Sequence, residues 1–164
     1  MELVDGPKIE TRPKMPTLGI CEIVPFRGMI SARARLWEEL LVLLKARAIT
    51  NFGYRFLRLN VVDMKGFMDI EAGVVTSQQI ASDERLRSGE FPARRYATLT
   101  HRDHSIRANK MLFQWIEANR IALDRKLDPH GDRFGCRYEL VLSDPNVERR
   151  RTHWTVQLDV RLAD

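Results

Sequence analysis

The sequence predicts an α+β fold: two pseudo-symmetric strand-helix-strand-strand units forming an antiparallel sheet with two main helices. Three observations carry that prediction. Two segments space their apolar residues with the period of a helix, and most of the remainder alternates with the period of a strand. The strands outnumber the helices too heavily for alternating βαβ units. The same order of elements also occurs twice along the chain, as expected of one supersecondary unit used twice.

Residues 1–7 read as a loose lead-in, and Lys8–Arg12 alternates weakly before Pro13 and Pro16 interrupt it. Leu18–Val24 is the first clear strand, ended by Pro25. A helix follows over about Ile30–Ala48. Leu36, Trp37, Leu40, Leu41 and Leu44 share one face, with Trp37 at the centre of the stripe and so a core residue by position. Tyr54–Val62 and Asp69–Ser77 form a hairpin around Asp63-Met64-Lys65-Gly66, and polar residues 77–89 read as a linker.

The second unit opens with a strand over Phe91–His101. A helix over about His104–Ile121 follows, with Asp103 or Ser105 as N-cap and an inward stripe of Ile106, Asn109, Leu112, Phe113, Ile116 and Arg120. Arg137–Ser143 is the next strand, closed by the turn residues Ser143-Asp144-Pro145-Asn146. In the last strand, His153–Leu162, Trp154, Val156, Leu158, Val160 and Leu162 alternate with polar residues, as in an antiparallel sheet covered on one face.

The duplication is visible residue by residue. Phe52-Gly53-Tyr54-Arg55-Phe56 returns as Phe134-Gly135-Cys136-Arg137-Tyr138, an offset of 82. Pro16–Leu40 lies ungapped on Pro92–Ile116 at an offset of 76, placing Ala32 on Ala108, Leu36 on Leu112, Trp37 on Phe113 and Leu40 on Ile116. Arg120–Asp132, with its turn signals Asp128-Pro129-His130-Gly131, accommodates the six extra residues. The chain is therefore expected to be a single domain, residues 1–164, with halves at about 8–77 and 90–164.

Composition narrows the function classes. With 164 residues, 44% hydrophobic and 30% charged, the chain suits one globular domain with its own core. It contains neither an apolar run long enough for a membrane span nor a signal-peptide pattern at its start, so a cytoplasmic protein without membrane contact is expected. The net charge of +5 raises nucleic acid as a partner, but the cations are interspersed with acids except at Arg149-Arg150-Arg151. That cluster reads as a solvated loop, and direct DNA binding is not expected. Cys21 and Cys136 read as reduced, half-buried strand thiols.

The residue that stands out is Glu139, a carboxylate in the middle of the most strand-like run. A strand charge either points to water or, inside a concavity, needs cations or donors. A salt bridge to a strand arginine is the structural alternative to a ligand role. Glu71 is a second carboxylate, in the hairpin of the first half. Trp115 lies at the margin of its helical stripe, where an aromatic can line a cavity or cover surface. His101 and His104 have an i, i+3 spacing but lack a third ligand, so neither a metal site nor a cofactor is expected.

The order of these motifs resembles the GyrI-like small-molecule-binding family, whose module is also the effector-binding domain of bacterial multidrug-responsive transcription activators. Phe91-Pro92-Ala93 with Tyr96, Thr100-His101-Arg102-Asp103, Leu112-Phe113-Gln114-Trp115-Ile116, Tyr138–Pro145 and the closing strand carry the resemblance. In the first half, Asp69–Val74 adds to it. The resemblance implies two units about a pseudo-two-fold axis, with a cavity between them for amphipathic or cationic aromatic compounds. It gives Glu139 the role of facing the ligand, and Trp154 and Trp115 that of aromatic walls. Tyr54 is a further candidate for stacking. The implied function is drug or xenobiotic sensing or sequestration by a stand-alone bacterial module, with a separate transcription regulator as a possible partner. Hydrolysis of electrophilic small molecules, with Glu139 as acid and base, is the alternative. One departure stands out: the family commonly has His-x-Gly where this chain has His101-Arg102-Asp103. Asp enters left-handed backbone conformations less freely than Gly.

Overall fold

The structure is a computed structural model and describes every residue except Ser82, which lies within the linker expected over 77–89. The fold is α+β. Among the described residues, ten strands form one antiparallel sheet: β1 (Glu2–Arg12), β2 (Met15–Pro25), β3 (Arg55–Val62), β4 (Phe67–Val75), β5 (Arg87–Phe91), β6 (Arg94–Arg102), β7 (Arg125–Asp128), β8 (Gly131–Phe134), β9 (Arg137–Val141) and β10 (Thr155–Arg161). The helices are α1 (Met29–Ala46) and α2 (Ser105–Ala118). No helix among the described residues is long and apolar enough to cross a membrane.

The spatial order of the main path is β1-β6-β10-β9-β3-β4-β2-β5. It is symmetric about the β9–β3 pair: β9, β10 and β6 run outward on one side, and β3, β4 and β2 on the other. Leu57 lies opposite Glu139, flanked by Phe56 opposite Leu140 and Arg58 opposite Tyr138. Given the 82-residue repeat, this register maps each pair onto its neighbour. An approximate two-fold axis therefore passes through the Leu57–Glu139 pair.

The outermost strands correct the sequence reading twice. The expected lead-in belongs to an eleven-residue strand, β1, and the end of the expected linker runs into β5, which takes Phe91 from the strand expected over Phe91–His101. Each is exchanged between units: β1 pairs with β6 of the second half, and β5 with β2 of the first. Their residues lack strong alternation because an edge strand has little to bury. The insertion before β9 is a hairpin, β7–β8, that pairs with the end of β3.

Strand parity sorts the side chains between two faces. Leu57, Leu59, Ile70, Ala72, Val74 and Val141 pack with Leu36, Trp37, Leu40 and Leu44 of α1. Ala97, Leu99, Leu158 and Val160 pack with Ala108, Leu112 and Ile116 of α2 on the same face. The opposite face holds Phe56, Phe91, Tyr96, Tyr138 and Leu140, with the Phe91 and Tyr138 rings stacked at 3.8 Å between centroids.

The second helix differs from expectation in two respects. Its buried stripe is Ala108-Leu112-Ile116, whereas Ile106 is 71% exposed and Arg120 lies beyond the helix. Its N-cap is His104, with no side-chain cap bond, rather than Asp103 or Ser105. Asp103 (φ +58°) and His104 (φ +52°) are both left-handed. The backbone conformation a glycine would supply is thus present, adopted by residues whose side chains carry polar groups. The cysteines are free, with Cys21 exposed and Cys136 buried.

Candidate functional site

A cavity of about 250 Å³ lies over the centre of the sheet, between the N-terminal parts of the two helices. Ile30, Arg33 and Trp37 wall it from α1. Leu57, Glu139, Val141 and Val156 form its floor from β3, β9 and β10. His101, Asp103, His104 and Ser105 and the segment before β10, with Arg151 and Trp154, complete it.

Glu139 reaches this floor because strand alternation puts Arg137, Glu139 and Val141 on the helix face. Its side chain is 7% exposed. Two donors from α2 reach the carboxylate: Ser105 Oγ to Oε1 at 3.5 Å and Asn109 Nδ2 to Oε2 at 3.4 Å. Both are long for hydrogen bonds to an ionised acceptor. Among the described residues no cation pairs directly with it. Arg137 is its nearest strand arginine in sequence but is committed elsewhere. Its guanidinium donates to Asn109 Oδ1 at 3.0 Å and lies 4.5 Å from the Phe113 ring centre and 4.8 Å from that of Phe134. Burial pushes the Arg137 guanidinium down to about 10, while the charge of Glu139 acts in the opposite direction.

The aromatic wall is a pair of tilted indoles, Trp37 and Trp154, 6.1 Å apart between centroids. Each N–H is bonded to backbone: Trp37 Nε1 donates to Phe56 O at 3.1 Å and Trp154 Nε1 to Glu148 O at 2.6 Å. Their polar edges are therefore satisfied within the fold, which leaves hydrocarbon and π surface for the cavity. Arg33 extends along this wall with its guanidinium 5.3 Å from the Trp37 ring centre. Burial lowers the pKa of Arg33, and Glu139 again opposes the shift.

His101, at the end of β6, is 2% exposed. Its Nδ1–H donates to the Asp103 carbonyl at 3.1 Å. Burial lowers its pKa below the ordinary value, with that carbonyl and the Glu139 charge opposing. At neutral pH the ring is uncharged.

Of the five residues expected at the site, Glu139 lies in the cavity floor and Trp154 in its wall, and the other three lie elsewhere. Trp115 packs against the α2 core. Tyr54 is 51% exposed ahead of β3 and does not line the cavity. Glu71 falls between Ile70 and Ala72, which point to the helix face, so it projects to the opposite face from Glu139. There it is 8% exposed and packs against Gly19, where any Cβ would collide with its carboxylate. Burial raises the pKa of Glu71, with Arg58 opposing.

The sequence reading missed Arg33, Leu57 and His101 as cavity residues and treated Trp37 only as core. The repeat held a signal for two of these positions. Leu57 is the counterpart of Glu139 at the offset of 82, and Arg33 is that of Asn109 at the offset of 76.

A family model of the GyrI-like small molecule binding domain matches residues 6–153. A search of curated proteins finds no match. Among solved structures, the EcmrR C-terminal domain is 18% identical, with 96% of each chain covered and a TM-score of 0.70. The EcmrR chain in its DNA complex matches with the same identity and TM-score, and this chain spans 56% of its length. SAV2435 bound to tetraphenylphosphonium is 10% identical, with 94% of this chain and 92% of that one covered and a TM-score of 0.59. A hydrolase from Listeria innocua is 11% identical over 98% of this chain and 94% of its own, with a TM-score of 0.56. At these identities the neighbours share a fold, and the match over residues 6–153 establishes the family: the chain belongs to the GyrI-like small-molecule-binding family.

Proposed function

We propose that the protein binds amphipathic or cationic aromatic compounds in the cavity between its two halves, with Glu139 facing the charge and Trp154 and Trp37 the rings. The observation that carries this reading is the state of Glu139. A nearly buried carboxylate, with two long hydrogen bonds and no direct ion pair among the described residues, sits beside two indoles whose own polar atoms are satisfied. Burying a charge this way costs several kcal/mol unless a counter-charge arrives, and an aromatic cation supplies one together with cation–π contact. The cavity is small for a drug-sized ligand, so the reading favours compact ligands or ones that protrude past Arg151 at its rim.

In this reading the protein is a cytoplasmic sensing or sequestering module for drugs or xenobiotics. The module itself makes no direct contact with DNA or membrane in this reading. Within the basic cluster, Arg150 is paired with Glu148 at 2.9 Å, which reduces the charge offered to a polyanion. A thermal-shift screen of compact aromatic cations beside neutral analogues of the same shape tests the reading. Stabilisation by the cations supports it, and equal response to both sets overturns the charge recognition.

A second reading, hydrolysis of electrophilic small molecules, is favoured by one observation: a carboxylate and a neutral imidazole, Glu139 and His101, line the same cavity. That pair can serve as acid and base. Mass spectrometry of a bound electrophile settles it, since turnover that disappears in Glu139→Gln supports catalysis and recovery of unchanged compound supports binding.

A further inference from the structure

The His101 ring has one nitrogen that the fold uses and one that it does not. A carbonyl only accepts, so the bond to Asp103 O fixes the proton on Nδ1. Nε2, at the other edge of the ring, is then a lone-pair acceptor. It is buried and meets no hydrogen-bond partner among the described residues. An acceptor in that state costs free energy, which a native structure retains for a reason more often than by accident. The two cations that line the cavity do not satisfy it: Arg33 lies against Trp37, and Arg151 is exposed at the rim.

The Glu139 carboxylate and the His101 ring both line the cavity beside an aromatic wall, and Nε2 is the ring atom left without a partner among the described residues. A quaternary ammonium or phosphonium ion brings charge but no N–H, and would bury Nε2 still unpaired. A protonated amine or amidine brings both. We infer that the cavity selects aromatic cations carrying N–H donors over permanently charged onium ions of similar size, with His101 Nε2 accepting from the ligand. This rests on the cation-binding reading and adds to it the chemical class of cation.

The test is isothermal titration at pH 7 with two probes that differ by one methyl group, (1-naphthylmethyl)dimethylammonium and (1-naphthylmethyl)trimethylammonium. Wild type should bind the first about tenfold more tightly, the scale of one buried hydrogen bond. His101→Phe, which keeps a ring but removes the acceptor, should bring the ratio to about one. His101→Gln, which keeps an acceptor, should restore part of the preference. A purely structural role for His101 would move both affinities together and leave their ratio unchanged. If wild type binds both probes equally, or the preference survives in His101→Phe, the inference is overturned and the cation-binding reading stands. If neither probe binds, that reading fails and this inference with it.

Discussion

Leu57 and Glu139 face each other across the β3–β9 pair, on the approximate two-fold axis of the molecule. The repeat thus places an aliphatic side chain and a carboxylate at equivalent positions on one cavity floor. The same asymmetry recurs one layer up, where Arg33 of α1 and Asn109 of α2 are counterparts. Asn109 donates to Glu139, whereas Arg33 lies against Trp37.

The axis predicts a trade between stability and function. In Glu139→Leu the floor becomes Leu opposite Leu. A buried charge with long hydrogen bonds is removed, and Asn109 keeps its bond to Ser105 O at 2.9 Å. We expect the variant to be more stable by about 1–3 kcal/mol, as when buried ionic groups are replaced by packed hydrocarbon, and to lose cation binding. Urea denaturation beside a ligand titration checks both, and a less stable Glu139→Leu would show that the carboxylate holds the fold together.

Arg33 predicts the opposite sign for affinity. Its guanidinium shares the cavity with any cationic ligand and occupies space along Trp37. Arg33→Met keeps the length of the side chain and removes the repulsion. Binding of a cationic aromatic should strengthen by up to about tenfold, the scale of a partly screened like-charge contact, while a neutral analogue changes little. Equal gains for both ligands would trace the effect to space rather than charge.

Much of the fold was legible in the sequence, and the repeat was its most informative part. Periodicity alone placed Leu112 and Ile116 correctly in the inward stripe of α2 but added the exposed Ile106 and left out Ala108, because isoleucine weighs more than alanine as a hydrophobic residue. The repeat had already laid Ala108 on Ala32, Leu112 on Leu36 and Ile116 on Leu40, and all six are buried. The edge strands β1 and β5 were illegible because their pairing partners lie in the other half. At the site, motif and resemblance pointed to Glu139 and Trp154, which line the same cavity. Trp115 and Glu71 went elsewhere for reasons of geometry: one packs on its own helix's core, and the other has the parity of the opposite face. His101 was weighed only as a metal ligand, since the orphaned Nε2 that marks it exists only once β6 and α2 are in place.

Glu71 gives a pH dependence that can be separated from the site. Burial raises its pKa in the folded state above the ordinary 4.5, so the folded state holds a proton that the unfolded chain has released. Stability from this group is therefore fully present below about pH 4 and declines as pH rises from 4.5 through the raised native value. Arg58, which opposes the shift, donates independently to Glu90 O at 3.1 Å and Gly135 O at 2.9 Å, so it does not depend on the carboxylate. Glu71→Gln should be as stable as wild type at pH 4, more stable at pH 7, and unaltered in ligand affinity. Denaturant titrations at the two pH values check this, and a Glu71→Gln variant destabilised at pH 7 would contradict it.

The most direct test of charge recognition by Glu139 is a paired titration calorimetry measurement. A cationic aromatic ligand and a neutral one of the same shape are titrated into wild type and Glu139→Gln, which keeps the size of the side chain, exchanges one acceptor oxygen for an NH2 donor and removes the charge. We predict that the cation loses about 1.5–3 kcal/mol of binding free energy, the range for a hydrogen bond to a charged group, and that the neutral ligand is much less affected. Equal loss for both ligands would contradict the account, because Glu139 would then shape the cavity without reading the charge of what enters it.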